Sequence, residues 1–152
     1  MINVPSKGNR KLEEFMTLIN SDEELAELWR VSNINAVDRS GMSDHGPTHV
    51  QIVANAGYKM LRLLIDSGIT PNAVANNGLT IEDSGVIVVG ASLLHDIGMA
   101  VQRENHEIYS IALAWDVLKS LLSPLYDIRT RTAVAAEISH CIIAHQSGEK
   151  CL

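Results

Sequence analysis

The chain has 152 residues, enough for one domain with a substantial core. Hydrophobic residues make up 46% and aromatic residues only 4%, so the core has to be built from Leu, Ile, Val, Ala and Met, which favours packed helices over a β-sandwich. A formal net charge of −6 with no basic stripe argues against nucleic-acid backbone binding as the main task, though not against a small phosphate ligand held by a metal and a cation. The two cysteines, Cys141 and Cys151, make no CxxC pair. That leaves no zinc knuckle or disulfide framework and fits a reducing cytoplasm. Cys141 lies in an apolar helical run and reads as core. The start of the chain has no charged-then-apolar leader, and the longest apolar run, Val86 to Leu94, is expected to be too short to cross a bilayer.

Residues 1–8, with Pro5 and Gly8, read as a loose lead-in. Leu12, Phe15, Met16 and Ile19 follow the spacing of one helix face and predict a helix ending at Asn20 or Ser21. Ser21-Asp22-Glu23-Glu24 reads as a capping box opening a second helix, with Leu25, Leu28 and Trp29 inward and the acidic run as a solvated first turn. Ser40 to Pro47 is a loop, and Pro47 suits the first position of a long third helix. His49, Ile52, Val53, Ala56, Met60, Leu63 and Leu64 are expected on its core face, with Ser67-Gly68 closing it. Ile69 to Gly78 is a loop or a short helical turn. Thr80-Ile81-Glu82-Asp83 is a second capping signal. From Ile81 to His95 the sequence is apolar on nearly every face, as in a central helix, and Gly85 and Gly90 allow close helix contacts. The run Val86-Ile87-Val88-Val89 leaves a buried strand as the alternative. Gly98 is expected to stop this helix. Met99 to Asn105 is a polar connection, with Asn105 capping a helix whose buried side is Ile108, Ile111, Ala112, Trp115, Leu118 and Leu122. Pro124 breaks that helix. Asp127 caps a last one, from Ile128 to about His145, with Val134, Ile138, Cys141 and Ile142 inward.

The chain is organised around Leu93-Leu94-His95-Asp96-Ile97-Gly98. An ionised carboxylate beside a histidine at the end of an apolar helix is costly to bury without a partner. A divalent cation is the usual partner, because imidazole and carboxylate together suit it. His49 and His106 stand at helix starts, His95 at a helix end and His145 near the end of the last helix. Helix ends meet at one side of a bundle, so these groups can converge there. His45 reads as a loop residue. His140, five residues before His145, falls on a different helical face and reads as structural or surface. Trp29, Trp115 and the methionines read as core.

These residues carry a resemblance. His49 followed by Val53, then Leu94-His95-Asp96-Ile97-Gly98, then His106-Glu107 and Ile142-Ile143-Ala144-His145, resembles the HD superfamily of metal-dependent phosphohydrolases, from roughly Gly46 to the C-terminus. The resemblance implies an all-α, HD-domain-like bundle of about six to seven helices with the metal site at helix ends. Residues 1–152 then form a single domain, expected to be cut short at its C-terminus. His49, His95 and Asp96 match the core metal ligands, and His106 and His145 match histidines that hold a second metal or contact the substrate phosphate. The family pattern ends with a further aspartate in an Arg-x-Ala-Asp-like context, which this sequence does not contain. The chain is therefore expected to be a fragment, with Gln146 to Leu152 a loop cut before its next helix.

What the resemblance implies chemically is one or two divalent ions (Mn, Fe, Co, Ni, Zn or Mg) that activate water against a phosphoryl group. Asp96 is the residue suited to bridge two ions, with His95 beside it at the reacting centre. Arg103, and less readily Lys150, are candidates to hold a substrate phosphate. Asp44 and Glu107 are candidates to orient the imidazoles. The implied function is hydrolysis of a phosphomonoester or phosphodiester of a nucleotide-like small molecule. The alternative is a non-catalytic regulatory module that keeps the metal or nucleotide pocket. A purely structural metal is least expected, since such sites are closed sets that often use cysteine. The expected partner is a small phosphorylated substrate, with no membrane and no nucleic acid, and the oligomeric state is left open.

Overall fold

The computed structural model describes residues 1–146; Lys150, Cys151 and most of the expected terminal loop lie outside the described residues. Within them the chain forms seven α-helices and no strand: α1 (Arg10–Ser21), α2 (Glu23–Asn33), α3 (Pro47–Asp66), α4 (Asn72–Asn77), α5 (Ile81–Leu94), α6 (His106–Leu122) and α7 (Ile128–Ala144). A π-helical segment, Ile34–Arg39, prolongs α2, and a 3₁₀ turn, Ile97–Ala100, follows α5. This is the all-α bundle that the composition and the helical periods predict.

Helix α5 sits at the centre because it is apolar all round. Val86, Ile87, Val89, Leu93 and Leu94 are all buried, and α1, α3 and α7 pack around them. Its start resolves the helix-or-strand alternative. Thr80 Oγ1 accepts from the Asp83 N–H at 3.2 Å while Asp83 Oδ2 accepts from the Thr80 N–H at 2.7 Å, a complete capping box. Gly90 allows close packing: a Cβ there would stand 2.9 Å from Ile138 Cδ1, so that side chain would have to shift. The apolar stretch is longer than expected. Ile81–Ala100 reaches a mean hydropathy of 1.2 and would pass for a membrane span by length and composition, but 83% of that window is buried inside the protein.

Asp83 does more than cap. It is 1% exposed and also accepts from Lys11 Nζ at 2.7 Å and Tyr126 Oη at 2.9 Å. Burial pushes its carboxyl up, but the hydrogen bonds from Lys11, Thr80 and Tyr126 outweigh this and hold it below the usual carboxylate range. A carboxyl depressed in the folded state contributes stability that is fully present above about pH 4 and lost as the pH falls through the folded value. Asp83→Asn is expected to destabilise by about 2–3 kcal/mol at neutral pH, between the loss of a cap and the breaking of a buried pair. Urea melts at pH 7 and pH 3 check this, since the gap between variant and wild type should shrink at the lower pH.

Several local expectations are corrected. The lead-in is not loose: Ile2 and Val4 are each 5% exposed, and the Asn20 side chain bonds both the N–H and the carbonyl of Ile2. The cap of α2 is Asp22 rather than Ser21, accepting from the Leu25 N–H at 2.8 Å. On α3 the buried residues are Val50, Ala54 and Tyr58, whereas Ile52, Met60, Leu63 and Leu64 face outward. On α6 the inward face is Glu107, Ser110, Ala114, Val117, Leu118, Leu121 and Leu122, and Ile108, Ala112 and Trp115 are exposed. Helix α6 packs on the Ile97–Ala100 turn and on α7, and that contact, not the apolar period, selects its face. Asn105 does not cap through its side chain. It takes a left-handed conformation, φ 56°, which Asn tolerates better than most residues. Cys141 is half-buried against the core. Pro47 at the first position of α3 and the Asp127 cap of α7 stand as expected.

Candidate metal centre

The last carbonyls of a helix lack intrahelical partners, and α5 ends where His95 and Asp96 must be placed. Side chains from two other helices and the π segment take up carbonyls of this end and of the 3₁₀ turn that follows. Trp29 Nε1 donates to Leu93 O at 2.8 Å, Ser32 Oγ to Ile97 O at 3.2 Å, and Asn35 Nδ2 to Met99 O and Ala100 O at 2.8 and 3.0 Å. From α6, Ser110 Oγ donates to His95 O at 2.6 Å and accepts from the Gly98 N–H at 2.8 Å. The His-Asp turn is thus clamped from both sides. Gly98 does not stop the chain, as expected from sequence, but lies inside the 3₁₀ turn. Its role is close approach: a Cβ would fall 2.0 Å from the His106 carbonyl oxygen and 2.5 Å from Ser110 N.

Five of the residues singled out in the sequence meet around this turn. Asp96, 5% exposed, is at the centre. Its Oδ2 lies 3.2 Å from His49 Nε2 and 2.9 Å from His95 Nε2, and its Oδ1 lies 3.2 Å from His106 Nε2. His49 Nε2 and His95 Nε2 are 3.4 Å apart, and His106 Nε2 and His145 Nε2 are 3.2 Å apart. Two groups result, His49–His95–Asp96 and Asp96–His106–His145, sharing the aspartate.

The ring orientations decide what these groups can accept. His95 Nδ1 faces the Ser92 carbonyl at 2.9 Å, His106 Nδ1 the Arg103 carbonyl at 3.0 Å, and His145 Nδ1 the Ile142 carbonyl. A carbonyl only accepts, so in the neutral ring Nδ1 carries the proton and Nε2 offers a lone pair. Lone pairs from several imidazoles and both Asp96 oxygens therefore converge with no donor between them, an arrangement that calls for a cation. With metal–ligand bonds of about 2.0–2.1 Å, neighbouring ligand atoms stand about 2.9 Å apart at octahedral angles and about 3.4 Å apart at tetrahedral ones. The observed separations of 2.9–3.4 Å span that interval, so the donor set could hold a metal ion.

In the metal-free protein a proton on His106 stands in for that cation. Burial pushes the Asp96 carboxyl up, but hydrogen bonds from His106 and His95 hold it well below the usual range. The bond to Asp96 raises His106, with burial offsetting part of this, while burial lowers His49 and favours its neutral, ligating form.

The expected supporting residues behave differently. Asp44 accepts from the His49 backbone N–H at 3.0 Å, so it fixes the first turn of α3 rather than the imidazole. Glu107 Oε2 is 3.6 Å from His106 Nδ1, too far for a hydrogen bond, and is buried with no hydrogen-bond partner among the described residues. Backbone carbonyls, not carboxylates, orient the rings. His45 stacks on His49 with centroids 5.1 Å apart. Arg103 is exposed and lies with His45, Met42, Met99 and Asn105 on the lining of a cavity of about 660 Å³ beside His106. His140 belongs to neither cluster. The clamp residues Ser32, Asn35 and Ser110 carried no distinct sequence signal. Their one mark is a polar residue on an otherwise apolar helix face, as Ser32 stands to Leu25 and Trp29.

The chain is similar to an uncharacterized protein of the archaeon Methanocaldococcus jannaschii, 40% identical over 119 residues. The match takes in 78% of this chain and 46% of the relative, so the chain spans about half the length of the curated relative it matches. No family model matches the chain. No solved structure matches it either.

Proposed function

We propose that this chain is a metal-dependent phosphohydrolase of the HD superfamily, acting on a phosphomonoester or phosphodiester of a nucleotide-like small molecule. The observation that best supports this is Asp96 itself, whose two oxygens each face a separate histidine group. His49, His95 and Asp96 would hold one divalent ion, and Asp96, His106 and His145 a second. Such ions supply Lewis acidity toward a phosphoryl oxygen and a hydrolytic water at neutral pH.

The remaining work belongs to the chain. Asp96 stays ionised across the neutral range, and the carbonyls of Ser92, Arg103 and Ile142 keep the imidazole lone pairs turned inward. The cavity beside His106 leaves room for a small molecule, and the Arg103 guanidinium on its lining matches phosphate oxygens in geometry and charge. The test is hydrolysis of p-nitrophenyl phosphate, its bis ester and simple nucleotides with added Mn²⁺, Co²⁺, Ni²⁺ or Mg²⁺. Turnover is expected only with metal and is abolished by chelation. Arg103→Ala should raise KM about tenfold while metal content is unchanged. Bound metal with no turnover of any ester would sink the enzyme reading and leave a metal-binding module.

A further inference from the structure

Helix α3 carries apolar residues on two sides. Val50, Ala54 and Tyr58 are buried, yet Ile52 is 63%, Met60 and Leu63 59% and Leu64 48% exposed, and Ile69 just beyond the helix is 52% exposed. Ile52, Ala56, Met60 and Leu63 follow one another at intervals of four, four and three residues and form one stripe along the outer face. Roughly 100 Å² of each of the five large side chains stays in water. Pairing two such faces would remove on the order of 1,000 Å², the lower range of specific interfaces.

Charge selects the occupant. Lys59 and Asp66 lie two turns apart on the same flank of the stripe, both exposed. Neither has an ion-pair partner among the described residues of its own chain. We propose that this face is a homodimer interface, with α3 of one copy packed antiparallel on α3 of a second about a two-fold axis near Leu63. In that register Lys59 comes level with the partner's Asp66, and Asp66 with the partner's Lys59. Leu63 lies at the axis, and Met60 comes level with the partner's Ile65. A parallel pairing would instead set like charges side by side. The net charge of −6 disfavours an anionic membrane as the occupant. The isologous arrangement satisfies both flanks with one contact used twice.

Sedimentation velocity of the full chain from about 1 to about 100 µM tests this. A shift from monomer to dimer mass is expected across that range. Leu63→Asp should weaken association at least a hundredfold and Lys59→Asp about tenfold, with helical content and metal content unchanged. The double swap Lys59→Asp with Asp66→Lys should restore the dimer. A monomer at every concentration, or a dimer indifferent to Leu63→Asp, overturns the interface. A double swap that fails to restore the dimer overturns the antiparallel register.

Discussion

Asp96→Ala is expected to strip metal from both halves of the site at once. Every other ligand serves one group, whereas Asp96 lends Oδ2 to His49 and His95 and Oδ1 to His106. Removing a partner that merely orients a ligand lowers metal affinity about 10- to 100-fold, so losing a shared ligand should exceed that. Elemental analysis of freshly purified protein should find one to two equivalents in the wild type and little in the variant. The stability consequence depends on pH with opposite signs in the two forms. Without metal, the His106–Asp96 bond raises His106. A raised histidine contributes stability that is fully present below about pH 6.5 and lost as the pH rises through the folded value. The gap between metal-free wild type and Asp96→Ala should therefore be wider at pH 5.5 than at pH 8. With metal the order reverses, because protons no longer compete for the imidazoles at the higher pH. Saturation a thousandfold above Kd would widen the gap by about 4 kcal/mol. Thermal melts at both pH values, with metal and with chelator, measure all four cases. Equal melting with metal and with chelator would remove the ion from His95 and Asp96.

The convergence of the candidate ligands was legible because their chemistry is visible in one dimension. An adjacent His-Asp at the end of an apolar helix is costly without a cation, and helix-end histidines elsewhere in the chain can reach it. Helix positions were legible for a similar reason, since period, caps and Pro are local. What the sequence did not show is which neighbour covers which face. On α3 the apolar residues exceed what the bundle can bury. Gly57 lies close to Val88 and Ser92 on α5 and marks the inner side, so Met60 and Leu63 face outward. Helix α6 turns Ser110 inward because the chain beneath it offers the His95 carbonyl and the Gly98 N–H. The clamp on the His-Asp turn rests on bonds between residues 64 and 65 positions apart. No local pattern encodes those. The placement of Ile2 likewise depends on the distant Asn20.

Gly98→Ala is expected to unsettle both the fold and the metal site through a single methyl group. The new Cβ would stand 2.0 Å from the His106 carbonyl oxygen and 2.5 Å from Ser110 N, both backbone atoms of α6. No side-chain rotation relieves that contact, so α6 has to move away from the Ile97–Ala100 turn. Movement breaks the paired Ser110 bonds to His95 O and Gly98 N, and it carries His106 away from Asp96 Oδ1. Overpacking against a fixed backbone with loss of a buried network places the cost at about 4 kcal/mol or more, a fall in Tm of about 10 °C or more for a chain of this size. Gly57→Ala is the matched control. Its Cβ would meet only the side-chain atoms Ser92 Oγ and Val88 Cγ1, both at 3.2 Å, and alanine gains helix propensity, so the variant should stay within about 1 kcal/mol of wild type. Metal content separates local from general damage. If Gly98→Ala is destabilised but keeps both ions at low temperature, α6 has yielded without carrying His106, and the clamp is not what positions the second histidine group. If it melts like wild type, the close approach of α6 to the His-Asp turn is itself refuted.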